Sequence, residues 1–172
     1  ADEGELSAEY CFFPKNGIVT LPKMIGINHL EAESSFFENE GDLEIGTAIF
    51  NGKFVRQSGS MTIGNAAIQV GEWSSANQKF NSKKTFVVNT ALITDNAKLN
   101  IDDLIMHKTS WKALDIDLKN EDLTVVDSTL KSINSTFNCS HVNAEGCAIE
   151  LADKTKFTVG DVVPIPTFPA LV

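Results

Sequence analysis

One arginine, Arg56, serves a chain of 172 residues. Bidentate recognition of phosphate or guanine depends on arginine forks, so nucleic-acid recognition has almost no material to work with. The formal net charge of −9 adds repulsion from phosphate backbones and anionic lipid heads. No apolar run approaches the roughly 18 residues of a membrane span, so no membrane insertion is expected. The sequence also lacks GxSxG, HExxH, Walker and Rossmann fingerprints and the DxDxDG and GGxGxD calcium loops. No cofactor and no metal site are expected on that basis.

Cysteine is scarce. Cys11, Cys139 and Cys147 form no CxxC pair, and no histidine stands at zinc-ligand spacing from them. A Cys139–Cys147 disulfide would close a short local loop, and buried free thiols acting as small hydrophobes are the alternative. The chain opens on Ala1, which fits a processed leader or an excised fragment. Its length suits a single domain, 1–172, with its own core.

Helix signals are few. Asn100 caps the best candidate, a turn or two running through Asp102, Asp103, Leu104, Ile105 and Met106. Residues 112–119 then alternate, with Leu114, Ile116 and Leu118 on one face and Asp115 and Asp117 on the other, which is a strand pattern. Short alternating segments bounded by Gly, Asn, Asp or Ser recur along the chain, as at Met61-Thr62-Ile63 and Leu123-Thr124-Val125. The segment 161–172 carries Pro164, Pro166 and Pro169 and reads as an extended tail.

The most informative feature is a repeat. Residues 36–50, FFENEGDLEIGTAIF, align with residues 54–68, FVRQSGSMTIGNAAI. Phe36 meets Phe54, Gly41 meets Gly59, Leu43 meets Met61, Ile45 meets Ile63, Gly46 meets Gly64 and Ala48 meets Ala66. Side chains that recur once per coil stack as ladders in a β-solenoid, and neither coil can bury its apolar face alone. Phe36 and Phe54 are therefore expected inside, with glycines at positive-φ turns. The fold class is all-β, a short right-handed parallel β-helix with irregular coils; an antiparallel β-sandwich or jelly roll is the alternative.

These coils resemble those of secreted right-handed β-helices, in particular the adhesin and passenger domains of filamentous-haemagglutinin-like and autotransporter-like surface proteins. The resemblance rests on Phe36, Asn39, Gly41, Leu43 and Ile45, and on Phe54, Gly59, Met61 and Ile63. It implies export, surface display and adhesion. Virion spike and fibre proteins use the same coils, and so do carbohydrate-active β-helix enzymes, for which Asp102, Asp103, Asp115, Asp117, Asp122 and Asp127 would be the raw material.

Residues 72–84 are polar and turn-rich, and read as a loop leaving the body. Trp73 in it, with Lys79, Lys83 and Lys84, forms the expected binding element for a surface glycan or a protein partner; Trp111, flanked by Ser110 and Lys112, is a second exposed-aromatic candidate. His29, His107 and His141 lie in no ligand motif, and a Cys139–His141 pair lacks an orienting third group. The sequons at Asn134 and Asn138 matter only in a eukaryotic secretory route. The expected function is that of a secreted or surface-displayed adhesion or structural module without catalysis, with a homo-oligomer compatible.

Overall fold

A computed structural model describes residues 6–21 and 25–160; the tail at 161–172 lies outside the described residues. The chain runs β1 (Leu6–Phe13), β2 (Ile18–Leu21), β3 (Ile25–Ala32), β4 (Phe36–Asn39), β5 (Asp42–Phe50) and β6 (Phe54–Gln57). It continues as β7 (Ser60–Ile68), β8 (Glu72–Ala76), β9 (Lys79–Val88), β10 (Ala91–Asp95), β11 (Lys98–His107) and β12 (Ser110–Leu114). The last strands are β13 (Asp117–Val126), β14 (Thr129–Ile133), β15 (Thr136–Glu145), β16 (Ala148–Ala152) and β17 (Lys156–Val159). Long odd-numbered strands stack into one sheet of nine and short even-numbered strands into another of eight. All pairings are parallel, so the chain is a β-solenoid of about eight turns. No helix occurs among the described residues.

Each long strand bends in its middle. Two consecutive residues point outward there: Gly46 and Thr47, Lys83 and Lys84, Asp102 and Asp103, Glu121 and Asp122. The ladder skips one residue at each bend, pairing Ile101 with Asn120 and next Asp103 with Asp122. A coil thus has three legs: the short strand, and the two halves of the long one. The bend explains why no helix forms over 100–106. Ile101 and Leu104 are both buried and three residues apart, a helical spacing produced by two strand segments meeting at a kink. Inside the bend of β13, the Asn120 side-chain amide donates to the carbonyls of Ile101 (2.8 Å), Asp122 (3.0 Å) and Asp102 (3.3 Å).

Coil length varies along the chain: the offset is 19 residues from Leu6 to its partner Ile25 and 20 from Thr136 to Lys156 at the two ends, and it changes from 18 to 19 between them. Leu43 pairs with Met61, 18 residues on, whereas Lys98 pairs with Asp117, 19 on. The extra residue sits at the corner before the long strand and adopts a left-handed conformation: Asn77 (φ 54°), Asn96 (51°), Asp115 (51°) and Asn134 (51°). Asparagine and aspartate tolerate that region better than other non-glycine residues. Because Asp115 is this corner residue, it ends the run at 112–119, and Asp115 and Asp117 do not share a strand.

The recurrent glycines serve a different purpose from the expected one. Gly146 is the one described glycine with positive φ (61°). Gly46 and Gly64 lie instead where a Cβ would come within 2.6 Å of the Asn28 carbonyl oxygen and 2.5 Å of that of Gly46. Close approach of successive coils, not turn geometry, selects glycine there.

The core is a set of inward ladders. One runs Trp73, Leu92, Trp111, Leu130, Ile149, and another Phe80, Leu99, Leu118, Phe137, Phe157. Buried hydroxyls close the corners: Ser128 Oγ accepts from the Thr109 amide (3.0 Å) and Ser135 Oγ from that of Ile116 (3.1 Å). Phe36 and Phe54 do stack, 5.5 Å apart and 6° from parallel, but on the outer face of the short sheet. Strand parity gives the interior to their neighbours Phe37 and Val55.

Candidate functional site

The expected recognition loop is part of the solenoid. Residues 72–84 form β8 and the start of β9. Trp73 is 2% exposed and packs edge-to-face on Phe50 at 5.1 Å; Trp111 is 1% exposed and donates its Nε1–H to Thr94 Oγ1 at 2.9 Å. Neither ring is presented to a surface ligand. Their flanking polar residues are the outward half of a strand alternation, which a single sequence stretch cannot distinguish from a loop rich in Ser and Asn.

The lysines do come together on the outside. Lys79 stands at the start of β9, beside Lys98 on the next coil. Lys83 and Lys84 occupy the bend, where the following coil presents Asp102 and Asp103 and the next Glu121 and Asp122. Lys84 Nζ lies 3.8 Å from Asp103, and His141 Nδ1 lies 3.2 Å from Asp122. The aspartates divide among the bend (Asp102, Asp103, Asp122), two different corners (Asp115, Asp127) and the first leg (Asp117), so they do not form one acid–base centre. Among the described residues, no group of three His, Cys, Asp or Glu side chains could hold a metal ion.

The thiols are free. Cys139 points into the core and burial pushes its thiol up to about 12. His141 sits in the bend beside Asp122 and is exposed, so the kink turns it outward, away from the inward-pointing Cys139. Cys147 takes the corner position that Ser128 fills one coil earlier, and burial raises its pKa too.

Shallow depressions mark the outside of the described residues. A groove of about 460 Å³ over the first leg is lined by Asn100, Asp102, Lys119, Glu121, Asn138 and Ser140. A second, of about 590 Å³, lies on the same leg at the other end, between Glu9, Asn28, Glu44, Gly46 and Thr62. There the small residues make the dent, and Asn28 Nδ2 donates to Glu9 at 2.6 Å. A third, of about 400 Å³, follows the left-handed corner, where Asn96 donates to Asn77 Oδ1 at 2.6 Å. The interior offers about 40 Å³ between Trp73, Leu92 and Trp111, close to one water's share of liquid, ~30 Å³.

The first-leg column Asn81, Asn100, Lys119, Asn138 is the most regular of the outer features. Each coil contributes one amide or ammonium group, and Asn100 Nδ2 donates to Asn81 Oδ1 at 3.0 Å. Sequence reading missed it because the column repeats at 19 residues, not at the 18 of the visible repeat. Compared with protein-family models, curated proteins and solved structures, the chain matches none.

Proposed function

We propose that the chain is a non-catalytic adhesion or structural module of a secreted or surface-displayed protein, which meets a polar polymer such as a glycan along its outer first leg. The observation that carries this reading is the column Asn81, Asn100, Lys119, Asn138. Parallel strands set successive side chains about 4.8 Å apart, so the column offers a file of donors and acceptors along the solenoid axis. Lys79 and Lys98 add positive charge at one edge and would favour anionic sugars. The inward residues are committed to packing, which leaves outer columns like this one to do the recognising.

The likeness of residues 36–70 to coils of exported adhesins supports surface display. The test is a glycan array probed with the intact chain and with an Asn100→Ala, Lys119→Ala, Asn138→Ala variant. Binding to a glycan class, reduced at least tenfold in the variant at unchanged melting temperature, is the expected result. Binding unaffected by the triple substitution, or no glycan retained at all, overturns the reading.

A further inference from the structure

The outer face of the second leg has a pattern unlike that of the first. Its central column reads Ile49, Ala67, Phe86, Ile105, Thr124, Asn143 from coil to coil. Ile49 is 38% and Phe86 40% exposed, although both are large and apolar. Val88 and Val126 lie beside this column, half-buried, with His107 between them on the intervening coil. The result is an apolar stripe on a chain of net charge −9.

Charge is banded along the edge of the stripe. The bend carries Lys83 and Lys84 on the coil of Phe86, and Asp102 and Asp103 on the coil of Ile105. The lysine coil borders the aspartate coil, and Glu121 and Asp122 extend the acidic band by one coil more. A two-fold axis lying in this face, along the strand direction and midway between these coils, exchanges one band for the other. The lysines of each copy then meet the aspartates of its partner, while Phe86 meets Ile105. The centre of the face is self-complementary under that operation, as an isologous contact requires, while Ala67 falls opposite Thr124 and Ile49 opposite Asn143 toward its ends. The Lys84–Asp103 contact inside one chain leaves both groups free to take a second partner, since their side chains are 55% and 36% exposed.

We infer that this face is a homodimer contact, in which two copies lie antiparallel with Phe86 and Ile105 at the centre and the Lys83/Lys84 and Asp102/Asp103 bands crossed at the edge. The inference does not rest on the adhesive reading of the first leg. The face is small: six rows about 4.8 Å apart and a leg of about five residues give roughly 400–500 Å² of flat area per copy. Standard interfaces bury about 800 Å² per partner, so the dimer is weak and forms at concentrations on the order of tens to hundreds of micromolar.

Sedimentation equilibrium of the intact chain from about 10 µM to about 1 mM tests it. Wild type should shift from monomer to dimer, less so as salt rises. A Lys83→Glu, Lys84→Glu variant makes both bands acidic, and an Asp102→Lys, Asp103→Lys variant makes both basic. Each alone should stay monomeric across the range. Their equimolar mixture should dimerise again, which also shows that both are folded. A monomeric wild type, a trimer, a dimer that survives either double substitution, or a mixture that stays monomeric overturns the inference.

Discussion

Trp73 and Trp111 stand two coils apart on one inward ladder, with Leu92 between them, and both are almost wholly buried. Trp73→Ala removes the edge-to-face contacts with Phe50 and Phe80 and leaves a cavity the strands cannot collapse into. Large-to-small changes of this kind cost about 3–5 kcal/mol. We expect a large fall in the urea midpoint for Trp73→Ala and for Trp111→Ala, the latter also leaving the Thr94 hydroxyl without its indole donor. A loss below about 1 kcal/mol for either would place that ring at the surface.

The corner asparagines predict a different ranking of substitutions. Asn96 has φ of 51°, where a β-branched residue is strained by roughly 1–2 kcal/mol. Asn96→Val should therefore destabilise by about that amount, while Asn96→Gly should change stability by only a few tenths, since glycine adopts this region without strain. Thermal denaturation of the pair gives the ranking, and equal losses would mean that the side chain, not the backbone, matters at the corner.

The solenoid was legible from residues 36–68 because the two 18-residue coils keep one period, so Leu43 and Met61, or Ile45 and Ile63, align without gaps. Past Asn77 each coil gains a residue, and an 18-residue offset sets inward residues against outward ones. Trp73 then lost its ladder neighbours Leu92 and Trp111 and looked like an isolated aromatic in a polar stretch. The helix over 100–106 failed for a related reason: at the bend, alternation skips a step and imitates helical spacing. Phe36 and Phe54 were correctly paired, but which face they occupy depends on strand parity, and Phe36-Phe37 offers an apolar residue to both faces.

Cys139 predicts a dependence on pH. Its thiol is pushed up to about 12 by burial, against about 8.5 in an unfolded chain. A folded pKa above the unfolded one means stability that is complete below about pH 8.5 and is lost as pH rises toward 12. The urea midpoint should fall over that window, and the fall should be smaller in Cys139→Ala. At pH 8 the native Cys139 should resist a disulfide reagent that labels it promptly in urea. Rapid labelling of the folded chain would show that the strand opens there.

Phe36, Phe54 and Arg56 form the last testable unit. The rings stack face to face on the outer short sheet, and the Arg56 guanidinium lies 5.6 Å from one and 5.9 Å from the other while its Nη1 reaches Glu38 at 3.3 Å. Both rings are only half-buried, so each Phe→Ala should cost well below the ~3–5 kcal/mol of a core phenylalanine. They touch, however, and touching residues couple: stacked aromatic pairs contribute about 0.5–1.5 kcal/mol beyond their buried area. The double mutant should therefore lose less than the sum of the two single losses, by about that amount. Arg56→Ala should reduce the coupling, because the cation holds both rings from one side. Chemical denaturation of the wild type and of all seven combinations of Phe36→Ala, Phe54→Ala and Arg56→Ala measures the coupling with and without the cation. Strict additivity would mean that the 18-residue alignment of Phe36 with Phe54 reflects coil geometry alone and that the stack adds no stability of its own.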